Sequence, residues 1–154
     1  MTNKLPISKF QTSNPGFTLI ELLIVIGIVV LLAAIFLPIG LNFYQIQVLN
    51  QTNDQVIWLL KQARSSALSQ KNNSAFGLYY NNQQLTLYQG ASYEARQVDF
   101  DVNYKIPSSV KIEGLSDINF SLAQGLPGQT GTIILSSNQI TKTITLNSIG
   151  LIDY

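Results

Sequence analysis

The sequence predicts an α+β chain, a long N-terminal helix followed by an antiparallel β-rich head. Three observations carry this reading. Residues 17–40 read FTLIELLIVIGIVVLLAAIFLPIG, twenty-four residues whose one charge is Glu21. Apolar residues then continue at helical spacing as far as Ala67. Beyond Asn73 the text breaks into short β-type runs separated by Gly, Asn and Pro.

The apolar run comes first. As a helix it spans roughly 36 Å, enough to cross the hydrocarbon core of a membrane. Between Lys9 and Asp54 only Glu21 is charged, so no Lys or Arg cluster closes the run, which is unusual for an ordinary membrane anchor. Pro38 lacks an N–H and clashes with the preceding turn, so a kink is expected there.

The helical period carries on through Tyr44, Val48, Val56, Leu59, Leu60, Ala63 and Ala67, with Asp54, Lys61, Gln62, Ser65 and Ser66 between them. One helix is therefore predicted from about Phe17 to about Gln70, ended by Lys71, Asn72 and Asn73. Trp58, between Ile57 and Leu59, is expected in the core beneath the sheet.

In the head, Ala75–Tyr80 and Gln84–Tyr88 flank Asn81, Asn82 and Gln83 as a hairpin. From Gln97 to Tyr104, Val98, Phe100, Val102 and Tyr104 alternate with Asp99, Asp101 and Asn103, the pattern of a half-buried strand. Val110–Ile112 and Ile118–Leu122 read as short strands. Thr132–Leu135 and Ile140–Leu146 form a second hairpin, and Leu151–Tyr154 a last strand. The sheet is expected to lie on the amphipathic part of the helix.

Composition narrows the function classes. Nine Lys plus Arg face eight Asp plus Glu, so no strong field points to nucleic acid or an acidic partner. If residues 1–16 are removed, Lys4 and Lys9 go with them and the balance becomes slightly acidic. The chain has no Cys, which excludes disulfides and thiolate chemistry, and no His, which removes the usual base and metal ligand near neutral pH. A non-enzymatic protein is expected, with no catalytic residues and no cofactor.

Residues 1–16 are polar and basic, without apolar periodicity. They run into Gly16-Phe17-Thr18-Leu19-Ile20-Glu21 and the apolar stretch, and this junction resembles the processing site of type IV prepilins and type II secretion pseudopilins. The resemblance implies cleavage after Gly16 by a prepilin peptidase and N-methylation of Phe17. It also implies an assembly role for Glu21, whose carboxylate would meet the Phe17 amine of an incoming subunit, and for Pro38, which would let the helix bend during assembly. Physical chemistry agrees on Glu21, because a carboxylate in a membrane helix costs about 2.5–3.5 kcal/mol and calls for a cationic partner. Leu59-Leu60, Ala63-Arg64, Ala67 and the segment from Ile144 to Ile152 with Gly150 loosely resemble H-type minor pseudopilins. The C-terminal disulfide of many pilins cannot form without Cys.

Other constellations read as ordinary structure. Asp99, Asp101 and Asn103 could face a hard cation, yet alternation along a strand places them on its solvated face anyway, and no metal is expected. The loop Gly125–Gly131 lacks the Lys and Ser/Thr of a phosphate loop and reads as a flexible turn. Lys105, Lys111 and Lys142 are scattered, and Tyr79, Tyr80, Tyr88 and Tyr93 read as sheet residues, so DNA capture is the second reading and not the first.

The segments expected are a leader peptide at 1–16, a transmembrane and polymerisation helix at 17–40, an amphipathic helix packing on the head at 41–73 and a β-rich head at 74–154. The function expected is a structural or assembly subunit of a type IV pilus or type II secretion pseudopilus. The alternative is a minor pilin binding DNA or surfaces in competence or adhesion. Its partners would be the prepilin peptidase, other pilin or pseudopilin subunits and the membrane, with no small-molecule substrate. It would sit first in the inner membrane as a single-pass protein, then in an extracellular or periplasmic filament.

Overall fold

A computed structural model describes residues 16–138 and 140–154, and their side chains except those of 37–41. The leader expected at 1–16 thus lies outside the described residues except for Gly16. Helix α1 runs Leu19–Leu68 and its backbone is helical through residue 38, but the side chain on which the expected kink turns lies outside the described residues. The chain divides into two compact units after Gly40.

In the second unit α1 buries Leu49, Val56, Leu59, Leu60, Ala63 and Ala67 completely or nearly so. With the buried Thr52 and Asn53 between Leu49 and Val56, these positions fall at the three- and four-residue spacings that put side chains on one face. Thr52 lies within this stripe, and its hydroxyl donates back to the Val48 carbonyl at 2.9 Å, so burial leaves it partnered. The helix ends where Gln70 enters the left-handed region at φ 52, followed by a 3₁₀ turn at Lys71–Asn73.

Eight strands follow: β1 Phe76–Asn81, β2 Gln84–Gln89, β3 Val102–Lys105, β4 Lys111–Gly114, β5 Asp117–Phe120, β6 Gly131–Ser137, β7 Ile140–Leu146 and β8 Ile152–Asp153. They form two four-stranded sheets, β3-β2-β1-β5 and β4-β6-β7-β8, antiparallel throughout. The β1–β2 hairpin closes on Asn82 and Gln83, both at positive φ, as a two-residue turn matching the strand twist requires. Phe120, Leu135, Ile144 and Leu146 are sealed with the α1 stripe in one core, which confirms the α+β arrangement.

Arg64 ties two loops to the helix. Its Nε donates to the Gly125 carbonyl at 3.3 Å and Nη2 to the Ile149 carbonyl at 2.8 Å. Gly150, at φ +77, lies so close that a Cβ would sit 2.7 Å from the Gly125 carbonyl oxygen and 2.8 Å from Arg64 Nε. Gly128 N–H donates to the Asn119 carbonyl and Phe120 bridges Pro127, so the Gly125–Gly131 loop is fastened to β5, not a free turn.

Three further expectations fail. Trp58 is 54% exposed, because it falls two residues from both Val56 and Leu60 and so faces away from the core. Tyr44, also exposed, lies before the stripe begins at Val48. The run 97–104 is not one half-buried strand: Val98–Phe100 is a 3₁₀ turn, only Val102–Lys105 is extended as β3, and Val98, Phe100 and Val102 are exposed. An ion pair between Arg96 Nε and Asp101 Oδ2 at 2.8 Å folds the β2–β3 connection on itself, overriding the alternating pattern.

Candidate functional site

The N-terminal site is built from three pieces. Gly16, Phe17 and Thr18 precede the helix in non-helical backbone and are exposed. A Cβ at Gly16 would meet nothing within 4 Å among the described residues. Thr18 then caps α1: its Oγ1 accepts the Glu21 N–H at 3.3 Å, and its carbonyl accepts the Leu22 N–H at 3.2 Å. Thr18-Leu19-Ile20-Glu21 thus has the spacing of a capping box, with Glu21 in the first turn where the helix dipole favours a negative charge. This capping role was legible in the S/T-x-x-E spacing but was missed in the sequence, where Thr18 entered only through the resemblance.

The third piece is the helix surface. Leu19–Phe36 is long and apolar enough to cross a membrane by length and composition, and none of it is buried among the described residues. Leu, Ile and Val are exposed all round this stretch rather than along one stripe. Such a surface finds its partners in lipid or in other apolar helices.

An apolar N-terminal helix leading to antiparallel sheets on an amphipathic helical segment is a pilin-like architecture. Residues 12–37 match the family model of the prokaryotic N-terminal methylation motif, and this match is similar to the N-terminus of type IV pilin- and pseudopilin-like prepilins. No curated protein and no solved structure matches the chain.

In the head, Tyr79, Tyr80 and Tyr88 lie in β1 and β2 as expected, whereas Tyr93 lies outside the strands, between β2 and β3. Tyr79 and Tyr93 lie 3.7 Å apart in parallel, and the Arg96 guanidinium sits 3.7 Å from the Tyr93 centroid, so Tyr93 has both faces taken. Arg96 also donates to the Tyr93 carbonyl at 2.7 Å, and its bond to Asp101 holds its guanidinium above the ordinary pKa. Asn103 accepts from Thr86 at 2.8 Å. Asp99 lies in the 3₁₀ turn, and Asp101 accepts from Arg96. Lys111 and Lys142 stand in one sheet with β6 between them, and Lys105 in the other.

Tyr88 is nearly fully buried, and its hydroxyl donates to Asp117 Oδ1 at 2.6 Å. Gly77 makes room for this ring, which a Cβ there would overlap. Burial first, then the hydrogen bond and charge of Asp117, push the Tyr88 pKa well above its ordinary 10.0. Folded Tyr88 therefore keeps its proton where the unfolded chain gives it up. Its contribution is whole below pH 10.0 and is lost as pH climbs above it. Melting the wild type and Tyr88→Phe at about pH 9 and about pH 11 should show the larger alkaline loss in the wild type. At neutral pH the variant should be less stable by about 1–3 kcal/mol.

Proposed function

We propose that the chain is a structural or assembly subunit of a type IV pilus or type II secretion pseudopilus. The observation that carries this is the methylation motif at 12–37 laid on a helix whose apolar surface is bare on every side. In this reading residues 1–16 are a leader removed after Gly16, Phe17 becomes the methylated N-terminus, and Glu21 receives the Phe17 amine of the next subunit. Residues 17–40 first hold the chain in the inner membrane and then join the filament core, 41–73 pack on the head, and the head at 74–154 faces outward.

Cohesion in such a core comes from close helix packing, with Glu21 setting register among helices that are otherwise uniformly apolar. Pro38 supplies a point where the helix can bend on entering it. The internally occupied Tyr79–Tyr93–Arg96 stack offers no open ring face at Tyr93 for a nucleic-acid base, which favours the structural role over DNA capture. The test is recovery of the chain in surface fibres removed by shearing, or in pseudopilus fibres, from cells with and without an active prepilin peptidase. Fibres that contain the chain only when the peptidase works support the reading. Absence from the fibres in both overturns it.

A further inference from the structure

The outer edge of β3 is self-complementary. β3 pairs with β2 through Gln84↔Lys105, Leu85↔Tyr104, Thr86↔Asn103 and Leu87↔Val102, and just beyond it the Ile106 N–H donates to the Gln83 carbonyl at 2.8 Å. Alternation along an antiparallel ladder then turns the backbone groups of Val102 and Tyr104 toward β2, and those of Asn103 and Lys105 toward the open edge. No strand covers that edge among the described residues. Asp101 is extended too, at φ −65 and ψ 130, so five consecutive residues, Asp-Val-Asn-Tyr-Lys, are ready to pair.

We propose that this edge binds the same edge of a second copy, antiparallel, about a two-fold axis at Asn103. In that register Asn103 exchanges backbone bonds with its counterpart, which is the pairing its outward groups require. Val102 lies opposite the partner's Tyr104, and Asp101 opposite the partner's Lys105, each twice by symmetry. Apolar thus meets apolar, acid meets base, and each of the four residues flanking Asn103 has a complement.

The side chains support the same occupant. Val102 is 45% exposed and Trp58 54%, and Trp58 packs edge-on against Tyr104 at 6.5 Å, so an apolar shelf extends from α1 along the edge that a partner strand would cover. Asp101 gives Oδ2 to Arg96, and its Oδ1, buried from solvent, has no hydrogen-bond partner among the described residues. Lys105 makes no ion pair among the described residues. β3 itself contains neither a proline nor a bulge, so its unpaired backbone groups can template another strand.

The two-fold axis reverses the helical segment packed on the sheet, so the copies it joins run antiparallel. Under the proposed function, on which this clause alone rests, the contact joins subunits of separate filaments and not neighbours in one.

The chain has no cysteine, so a single introduced one reports proximity. Asn103→Cys places two thiols in a hydrogen-bonded cross-strand pair about 5.5 Å apart at Cα, within disulfide reach. The full chain in detergent should form a covalent dimer at least about tenfold faster than Thr143→Cys, an exposed control inside the other sheet. Adding Lys105→Glu sets two carboxylates opposite each other and should slow the reaction about fivefold. Sedimentation of the cysteine-free chain, with and without Lys105→Glu, checks the contact with the native Asn103 in place, and the variant should shift toward monomer. Equal crosslinking at 103 and 143, or indifference to Lys105→Glu, overturns the proposal. Processing at Gly16 is read separately and stands or falls by itself.

Discussion

Replacing Glu21 with alanine is expected to leave the chain in the membrane and to remove it from fibres. The substitution takes a carboxylate costing about 2.5–3.5 kcal/mol out of an apolar helix, so insertion becomes easier. Assembly should move the other way. On the proposed reading the incoming Phe17 amine loses its partner and is left as an uncompensated charge among apolar helices. Breaking such a pair from one side costs about 3–5 kcal/mol, which corresponds to more than about a hundredfold in subunit affinity. The helix itself should persist, because the cap at Thr18 uses the backbone N–H of residue 21 and not its side chain. Quantitative blotting of membrane and sheared fractions checks both halves, and fibre incorporation at the wild-type level would refute the role given to Glu21.

The second large effect lies in the head. Phe120 on β5 is fully buried, pairs with Phe76 across the sheet and bridges to Pro127 in the loop that Arg64 secures. Phe120→Ala should cost about 3–5 kcal/mol, as the ring's burial is lost and a cavity opens where both sheets and α1 meet. For a unit of this size that lowers the melting temperature on the order of 10–20 °C. Phe43→Ala is the matched control, because Phe43 is 68% exposed and its removal should leave the melt of the head unchanged. Melting followed by circular dichroism separates the two, and equal shifts would contradict the assigned core.

The elements set by strong local patterns were legible in the sequence. The apolar run from Phe17 announced a helix long and apolar enough to cross a membrane, found at Leu19–Phe36, and the stripe Val56, Leu59, Leu60, Ala63 and Ala67 gave the buried face directly. The hairpin expected at Asn81, Asn82 and Gln83 followed from its turn residues, with Asn81 joining β1 and the turn tightening to Asn82 and Gln83. What escaped was decided by contacts distant in sequence or by angle around the helix. Trp58 is apolar, but its position two residues from Val56 and Leu60 turns it outward, which residue type alone does not reveal. In 97–104 the alternation of Val98, Phe100, Val102 and Tyr104 is genuine, yet the Arg96–Asp101 pair and the Tyr93 stack bend the chain before a strand can form. The folding of Arg64 onto Gly125 and Ile149 joins residues more than sixty positions apart, and no local spacing announces it. At the candidate site, the motif pointed to Gly16, Phe17 and Glu21, whereas the cap at Thr18 was written in its spacing from Glu21 and went unread there.

The most direct measurement of the central claim is the intact mass and N-terminal sequence of the chain purified from membranes and from sheared fibres, with Gly16→Ala alongside. The expected result is a chain that begins at Phe17 and carries one added methyl group, while Gly16→Ala retains residues 1–16. A chain that still begins at Met1 in every fraction, wild type and variant alike, would contradict processing and with it the reading of this protein as a pilin-like subunit.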